Sequence, residues 1–220
     1  MEMIERKRIL EQTRGSHPVM KAPGNNWAAV DLSKHNPRST PEEHSGYILE
    51  KTGNYKAAFG WGGYGEDRSV YASHALFRDD ENARCIHLGI DLWGPSFEPV
   101  YTPVDGVIHS FQDNDNPGDY GPTIILEHQH PEGFEYFTLH GHLSRASLVD
   151  LTFGQALKAG EKVGELGPPE ENGGWEPHVH FQVILDMNGQ RGDYPGVASR
   201  SEAESYLSGC PDPHALAGIA

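Results

Sequence analysis

Hydrophobic residues in this chain come in short runs rather than long helical stripes. From residue 84 onward each run is closed by Gly, Pro, Asn or Asp. Runs at 99–103, 106–111, 122–128, 134–140, 161–166 and 178–186 are rich in β-branched and aromatic residues and predict strands. Turn signals fall at Asn114-Asp115-Asn116-Pro117-Gly118-Asp119, Pro131-Glu132-Gly133 and Asn172-Gly173-Gly174. Strands at this spacing predict a mainly β fold, an antiparallel sheet or sandwich. Only 145–151 and 201–207 invite short helices in this half. The first half is less regular. Residues 1–13 predict a short charged helix, Ala29-Val30-Asp31-Leu32 a strand, and Glu42 to Lys51 a helix behind the start signal Ser39-Thr40-Pro41. Pro18, Pro23, Pro37 and Pro41 break the chain between 14 and 46. The pattern therefore divides the chain into an N-terminal extension, 1–83, packing on a domain of residues 84–220.

One strand carries chemistry. Pro177-His178-Val179-His180-Phe181-Gln182-Val183-Ile184 opens with two histidines, and side chains at i and i+2 of a strand share a face. Two imidazoles so placed repel if both are protonated, and a metal resolves this because neutral imidazole is a good zinc ligand. Two solvent-facing histidines at a strand start would be the plain alternative. Two further stretches favour the metal. His87-Leu88-Gly89-Ile90-Asp91 sets a histidine and a carboxylate four apart, around a glycine that allows close backbone approach. Leu139-His140-Gly141-His142-Leu143-Ser144 adds two more histidines. A catalytic zinc site takes three protein ligands and keeps a fourth position open, so His87, Asp91 and one of His178/His180 would suffice.

Composition narrows the classes. The chain has 220 residues and a hydrophobic content of 36%, low for a helical protein. Its net charge is −15, from 17 basic and 32 acidic residues, which argues against nucleic acid and anionic membrane as partners. The charged N-terminus is followed by no apolar h-region and no run is long enough to span a bilayer, so the expected compartment is the cytoplasm. Cys85 and Cys210 make no disulfide framework and are expected as reduced, buried thiols. Gly60-Trp61-Gly62-Gly63-Tyr64-Gly65-Glu66-Asp67-Arg68 lacks the lysine of a phosphate loop. It reads as a turn that packs its aromatics or as a wall of the active-site groove. His128, His109 and His130 read as packed or turn histidines.

The order His-x-Gly-x-Asp, Gly-His-Leu-Ser, Pro-His-x-His-Phe resembles the lysostaphin-like zinc metallopeptidases. The stretches 99–108, 120–128 and 154–164 resemble that family's connecting text, so the likeness runs from about Arg84 to about Leu185. It implies a β-sandwich of the duplicated hybrid motif type and a zinc metalloendopeptidase that hydrolyses a peptide or amide bond with a metal-activated water. Carried over, His87, Asp91 and His180 would hold zinc, while His142 and His178 would be catalytic. His140 stands where the family often has tyrosine and would share a strand face with His142, in reach of substrate. Gln182 stands where relatives usually carry glutamate. The loop 167–176 departs further, with Glu170, Glu171, Trp175 and Glu176 making the groove wall more negative. Asp31-Leu32-Ser33, Gly63-Tyr64-Gly65-Glu66 and Cys210-Pro211-Asp212-Pro213 resemble one branch of the family. That branch is the peptidase-like module of bacterial cytosolic fusion proteins with phosphotransferase and class-III aminotransferase modules, which would make such modules its partners. The expected substrate is small and soluble, with Tyr64, Arg68 and Trp175 among its contacts, Arg68 holding a carboxylate or carbonyl. Trp61 and Tyr71 would help to narrow the groove. A non-catalytic metal-binding or regulatory module on the same fold is the competing reading, and a non-hydrolytic metal-dependent enzyme acting on small metabolites is a third.

Overall fold

A computed structural model describes residues 1–33, 40–68 and 84–219. Strands dominate it. They are β1 (Trp27–Ala29), β2 (Phe59–Gly62), β3 (Arg84–His87), β4 (Ile90–Trp93), β5 (Pro99–Tyr101) and β6 (Gly106–Asn114). The later ones are β7 (Gly121–His130), β8 (Phe134–Gly141), β9 (Ala156–Leu157), β10 (Lys162–Glu165), β11 (His178–Ile184) and β12 (Val197–Ser199). Among the described residues, four α-helices accompany them: α1 (Met3–Leu10), α2 (Pro41–Thr52), α3 (Ala203–Gly209) and α4 (His214–Ala217). Among the described residues, eight strands form one sheet in the order β1-β2-β4-β11-β8-β7-β6-β9. Two smaller sheets pair β10 with β5 and β12 with β3.

The large sheet is antiparallel except at one edge, where β1 runs parallel to β2. Alternation along β7 shows why it holds together. Ile124 and Leu126 enter one apolar cluster with Phe181, Ile90, Leu92 and Leu10, while Ile125 enters another with Leu139, Ile184 and Leu88. Both faces of the sheet are thus covered. Burying one such side chain is worth about 1.5–3 kcal/mol.

The boundary expected at 83/84 is crossed by the sheet itself, because β2 pairs antiparallel with β4 in the register Gly60↔Trp93, Trp61↔Leu92, Gly62↔Asp91. The glycines of β2 are required by that neighbour. A Cβ on Gly62 would lie 2.5 Å from the Trp93 ring. Helix α2 starts on a capping box between Thr40 and Glu43 and stops at Gly53, whose φ of 61° suits glycine. Its Ile48 joins Val30, Leu32 and Trp93 in a third apolar cluster, which fastens the helix beside β4. The strand expected at 29–32 lies earlier, at Trp27–Ala29. Among the described residues, no helix is long and apolar enough to cross a membrane.

Candidate metal centre

Register brings the site together. In the β11–β4 pair His180 stands opposite Asp91 and His178 opposite Trp93. Val179, Phe181 and Val183 fill the apolar cluster on one face, which leaves His178, His180 and Gln182 on the other. His87 ends β3, and the chain turns at Leu88-Gly89 before β4 begins. A Cβ on Gly89 would meet the Phe181 carbonyl oxygen at 2.6 Å and His180 Nε2 at 2.8 Å, so only glycine lets this corner approach β11.

The result is a tight, buried triangle. His87 Nε2 lies 2.9 Å from His180 Nδ1, and each lies 3.2 Å from Asp91 Oδ1. Ligands about 2.0–2.1 Å from a tetrahedral zinc stand roughly 3.3 Å apart, so these donors fit one ion. The tautomers fit as well. His87 Nδ1–H donates to the Gly63 carbonyl at 3.0 Å, which leaves Nε2 with its lone pair. His180 Nε2–H donates to Gln182 Oε1 at 2.8 Å, which leaves Nδ1. The amide of Gln182 is fixed because its nitrogen, Nε2, donates to the Pro195 carbonyl at 3.2 Å and to Cys210 Sγ at 3.3 Å. Gln182 therefore accepts the imidazole hydrogen bond as a carboxylate would, without bringing its charge. Two imidazoles and one carboxylate, each oriented by an outer partner, are the donor set of a zinc site. His87, Asp91 and His180 form the one such group among the described residues.

Electrostatics agree. Burial pushes His87 down to about 4, which keeps it neutral and able to ligate. Burial alone would raise the Asp91 carboxyl, but His87 and Arg68 beside it hold it well below the usual carboxylate range.

His142 and His178 stand next to the triangle with ring centroids 4.2 Å apart. His142 follows the end of β8 with a φ of +61°, uncommon for a residue with a side chain. Its N–H donates to the Tyr120 carbonyl and its own carbonyl accepts from Gly167, which secures that conformation. His142 Nδ1–H donates to the Asn172 carbonyl at 2.9 Å, and His178 Nδ1–H to the Glu176 carbonyl at 2.7 Å. Each Nε2 is left with a lone pair, and that of His178 is 3.7 Å from Asp91 Oδ1. Burial, followed by its neighbour His178, holds His142 well below the usual imidazole value, and burial also lowers His178. Both rings border a cavity of about 260 Å³.

The remaining expected contacts divide. Trp175 lines the cavity. His140 does not: it is fully buried, paired with Phe181 across β8–β11, and its ring packs on Phe181 at 5.2 Å. The backbone turn at His142 breaks the strand alternation that would have put the two on one face. Tyr64 is also redirected, since its hydroxyl donates to the Cys210 carbonyl at 2.6 Å. Trp61 sets its ring against His214, and Tyr71 lies outside the described residues. Arg68 reaches the cavity, but its guanidinium is already engaged by Asp91 and Glu66. Two of the three acids in loop 167–176 are likewise tied down. Glu171 accepts from the Arg145 backbone at 2.7 Å, and Glu176 from the Tyr55 hydroxyl at 2.8 Å. Asn172 was legible only as a turn residue. Its amide donates to the carbonyls of Gly167 and Trp175, and its oxygen accepts from the backbones of Gly174 and Trp175, so it shapes the loop that orients both histidines.

Residues 85–193 match the model of peptidase family M23. The M23 segment contains His87, Asp91, His142, His178 and His180, and it supports metal-dependent peptidase chemistry. A curated relative, the peptidoglycan DD-endopeptidase ShyA of Vibrio cholerae, is 28% identical over 121 residues, 54% of this chain. The matched region is 25% of that protein's length. Among solved structures, the catalytic domain of the antimicrobial peptidase lysostaphin from Staphylococcus simulans is 24% identical. That likeness covers 59% of this chain and 77% of the other, with a TM-score of 0.39. A zinc-containing peptidase from Vibrio cholerae is 26% identical over 49% of this chain and 30% of its own, with a TM-score of 0.38. The M23 segment stops short of α2, β2 and the stretch Gly63 to Arg68.

Proposed function

We propose that this chain is a zinc-dependent peptidase or amide hydrolase that acts on short, soluble substrates inside the cell. One observation carries the reading: three side chains, each held by an outer partner, turn their donor atoms toward one buried point, and two further histidines stand beside it at a cavity. His87 Nε2, Asp91 Oδ1 and His180 Nδ1 would hold the ion. Zinc, when bound, supplies a Lewis acid that makes water a competent nucleophile near neutral pH. His142 Nε2, neutral and unprotonated, is set to accept the proton of the attacking water. His142 would then return that proton to the leaving amine, and His178, beside His142 and Asp91, would stabilise negative charge on the carbonyl oxygen only when it carries a proton on Nε2.

The small-substrate part of the reading is supported by what shares the cavity. Leu32, His44, Ser45 and Ile48, all from the N-terminal region, line it with the histidines. Tyr55 ties the same region to the loop at Glu176. A wall at that place limits how a polymer can lie across the centre. The intracellular part is supported by two free, buried cysteines and a net charge of −15. Association with phosphotransferase or aminotransferase modules is a further part of this proposal and rests on the resemblance alone.

The test is hydrolysis of a panel of short peptides and amides by the full-length chain, with purified peptidoglycan as comparison. Chelator should abolish turnover and zinc restore it. Efficient cleavage of peptidoglycan would overturn the small-substrate reading. Stoichiometric zinc without turnover of any panel member would favour the non-catalytic module.

A further inference from the structure

The stretch Gly63 to Arg68, which follows β2, does more than pack aromatics. Its backbone runs beside β3: Gly65 N–H donates to the His87 carbonyl, His87 N–H to the Glu66 carbonyl, and Arg68 N–H to the Cys85 carbonyl. Asp67 bridges Ile86 in the same antiparallel sense and is gripped by Arg200 at 2.7 and 3.0 Å. This places two groups behind the metal ligands. The Gly63 carbonyl accepts a hydrogen bond from His87 Nδ1–H. The Arg68 guanidinium, 1% exposed, pairs through Nη1 with Asp91 Oδ2 and through Nε with Glu66 Oε2 at 2.6 Å. It also lies over the Trp93 ring, with its carbon 5.9 Å from the ring centroid.

The two oxygens of Asp91 are therefore divided. Oδ1 faces the nitrogens of His87, His180 and His178, and Oδ2 faces Arg68. A carboxylate free to rotate could offer both oxygens to one ion, raise its coordination number and fill the position that water needs. We infer that Arg68 is a positioning residue that holds Asp91 to a single ligating oxygen, and that the stretch Gly63–Arg68 is an integral outer shell of the metal centre although it lies outside the M23 segment. Glu66 fixes the guanidinium from behind. This rests on the metal-site reading above.

Charge and geometry predict opposite signs, which makes the inference testable. Removing a cation beside a ligand should by Coulomb attraction alone tighten binding of a dication. Removing the group that orients the ligand should weaken it, typically about 10–100-fold. The experiment uses the full chain as wild type, Arg68→Met and Arg68→Lys. It measures zinc affinity by competition with a chromophoric chelator and records the visible spectrum of the cobalt(II) form. Arg68→Met should bind zinc about 10–100-fold more weakly. Its cobalt bands should lose intensity, as they do when coordination rises above four. Arg68→Lys, which keeps the charge but loses the planar fork, should fall between the two. If Arg68→Met fails to fold, Arg68→Lys alone decides, and an affinity and spectrum equal to wild type overturn the inference. Tighter zinc binding by Arg68→Met overturns it in favour of a purely electrostatic role. A lower stability of the metal-free variants with unchanged affinity and spectrum overturns it in favour of a structural ion pair. Absence of zinc binding by the wild type would instead overturn the metal-site reading, and this inference with it.

Discussion

The two sides of the candidate centre are built differently. One side is β4 and β11, where register sets His180 against Asp91 and alternation sends both away from the core. The other side comes from residues 30–33, 40–68 and loop 167–176, and it works through single hydrogen bonds: His87 to the Gly63 carbonyl, Arg68 to Asp91, His142 to the Asn172 carbonyl, Tyr55 to Glu176. The strand side supplies ligands and places them by register. The loop side fixes tautomers, rotamers and access. Chemistry can be lost from either side, but ligand loss and orientation loss should differ in kind and size.

The largest effect should come from the strand side. His87→Ala, Asp91→Ala and His180→Ala are each expected to lose bound zinc and all measurable turnover, as metal analysis and a peptide assay would show. Full zinc content in all three variants would end the assignment. Next in size are His142→Ala and His178→Ala. They should retain zinc and lose about 10²–10⁴-fold in kcat, the usual worth of general acid–base help. If His178→Ala lost zinc while His180→Ala kept it, the division between ligand and catalyst would be reversed.

Not every buried histidine of the large sheet serves the metal. His128 lies on β7, its Nδ1 against the Asp105 carbonyl at 2.9 Å and its Nε2 against Thr138 Oγ1 at 2.7 Å. It stacks on Tyr136 and has His140 near it. Burial pushes His128 down to about 4. An unfolded histidine takes its proton near pH 6.5, so between about 6.5 and 4 the unfolded chain holds more protons than the folded one. The contribution of His128 is present in full above that window and declines as pH falls through it, by on the order of 3 kcal/mol in total. Chemical denaturation of His128→Gln across this range should show a shallower acid decline than wild type by up to about one proton. Equal slopes would show that His128 does not titrate this way.

The difference between the two sides also explains what could be read from the chain. The strand side is written in short local patterns. His178-Val179-His180 declares its own face, and Gly89 in His87-Leu88-Gly89-Ile90-Asp91 declares a close approach. The loop side has no such pattern. Arg68 meets Asp91 across 23 positions and Tyr55 meets Glu176 across 121, and neither pair leaves a periodic trace. The N-terminal region was expected to border the groove through Trp61, Tyr64 and Arg68, yet the residues that line the cavity include Leu32, His44, Ser45 and Ile48. Which aromatic faces the site depends on where α2 docks, and that is set by a tertiary cluster around Trp93. His140 was misplaced for a local reason: alternation holds along β8 to Gly141 and stops at His142, where φ turns positive.

The smallest expected effect tests whether the loop side controls access rather than chemistry. Tyr55 follows α2, and its hydroxyl donates to Glu176, whose carbonyl orients His178. Tyr55→Phe removes the hydroxyl and leaves the ring, so its packing in the apolar cluster with Phe59 should persist. The lost bond ends on a carboxylate, and such bonds are worth about 1.5–3 kcal/mol when buried, less at this half-exposed place. A loss of about 1 kcal/mol in stability is expected from denaturation. Zinc affinity should not change, because Tyr55 touches no ligand. The informative quantity is selectivity. With the strap from α2 to the loop cut, longer peptides should gain kcat/KM relative to short ones, while kcat on the shortest substrate stays within about threefold. A uniform fall in kcat for every substrate length would mean that the bond acts through the Glu176 carbonyl on His178, and Tyr55 would then belong with the residues that orient the chemistry.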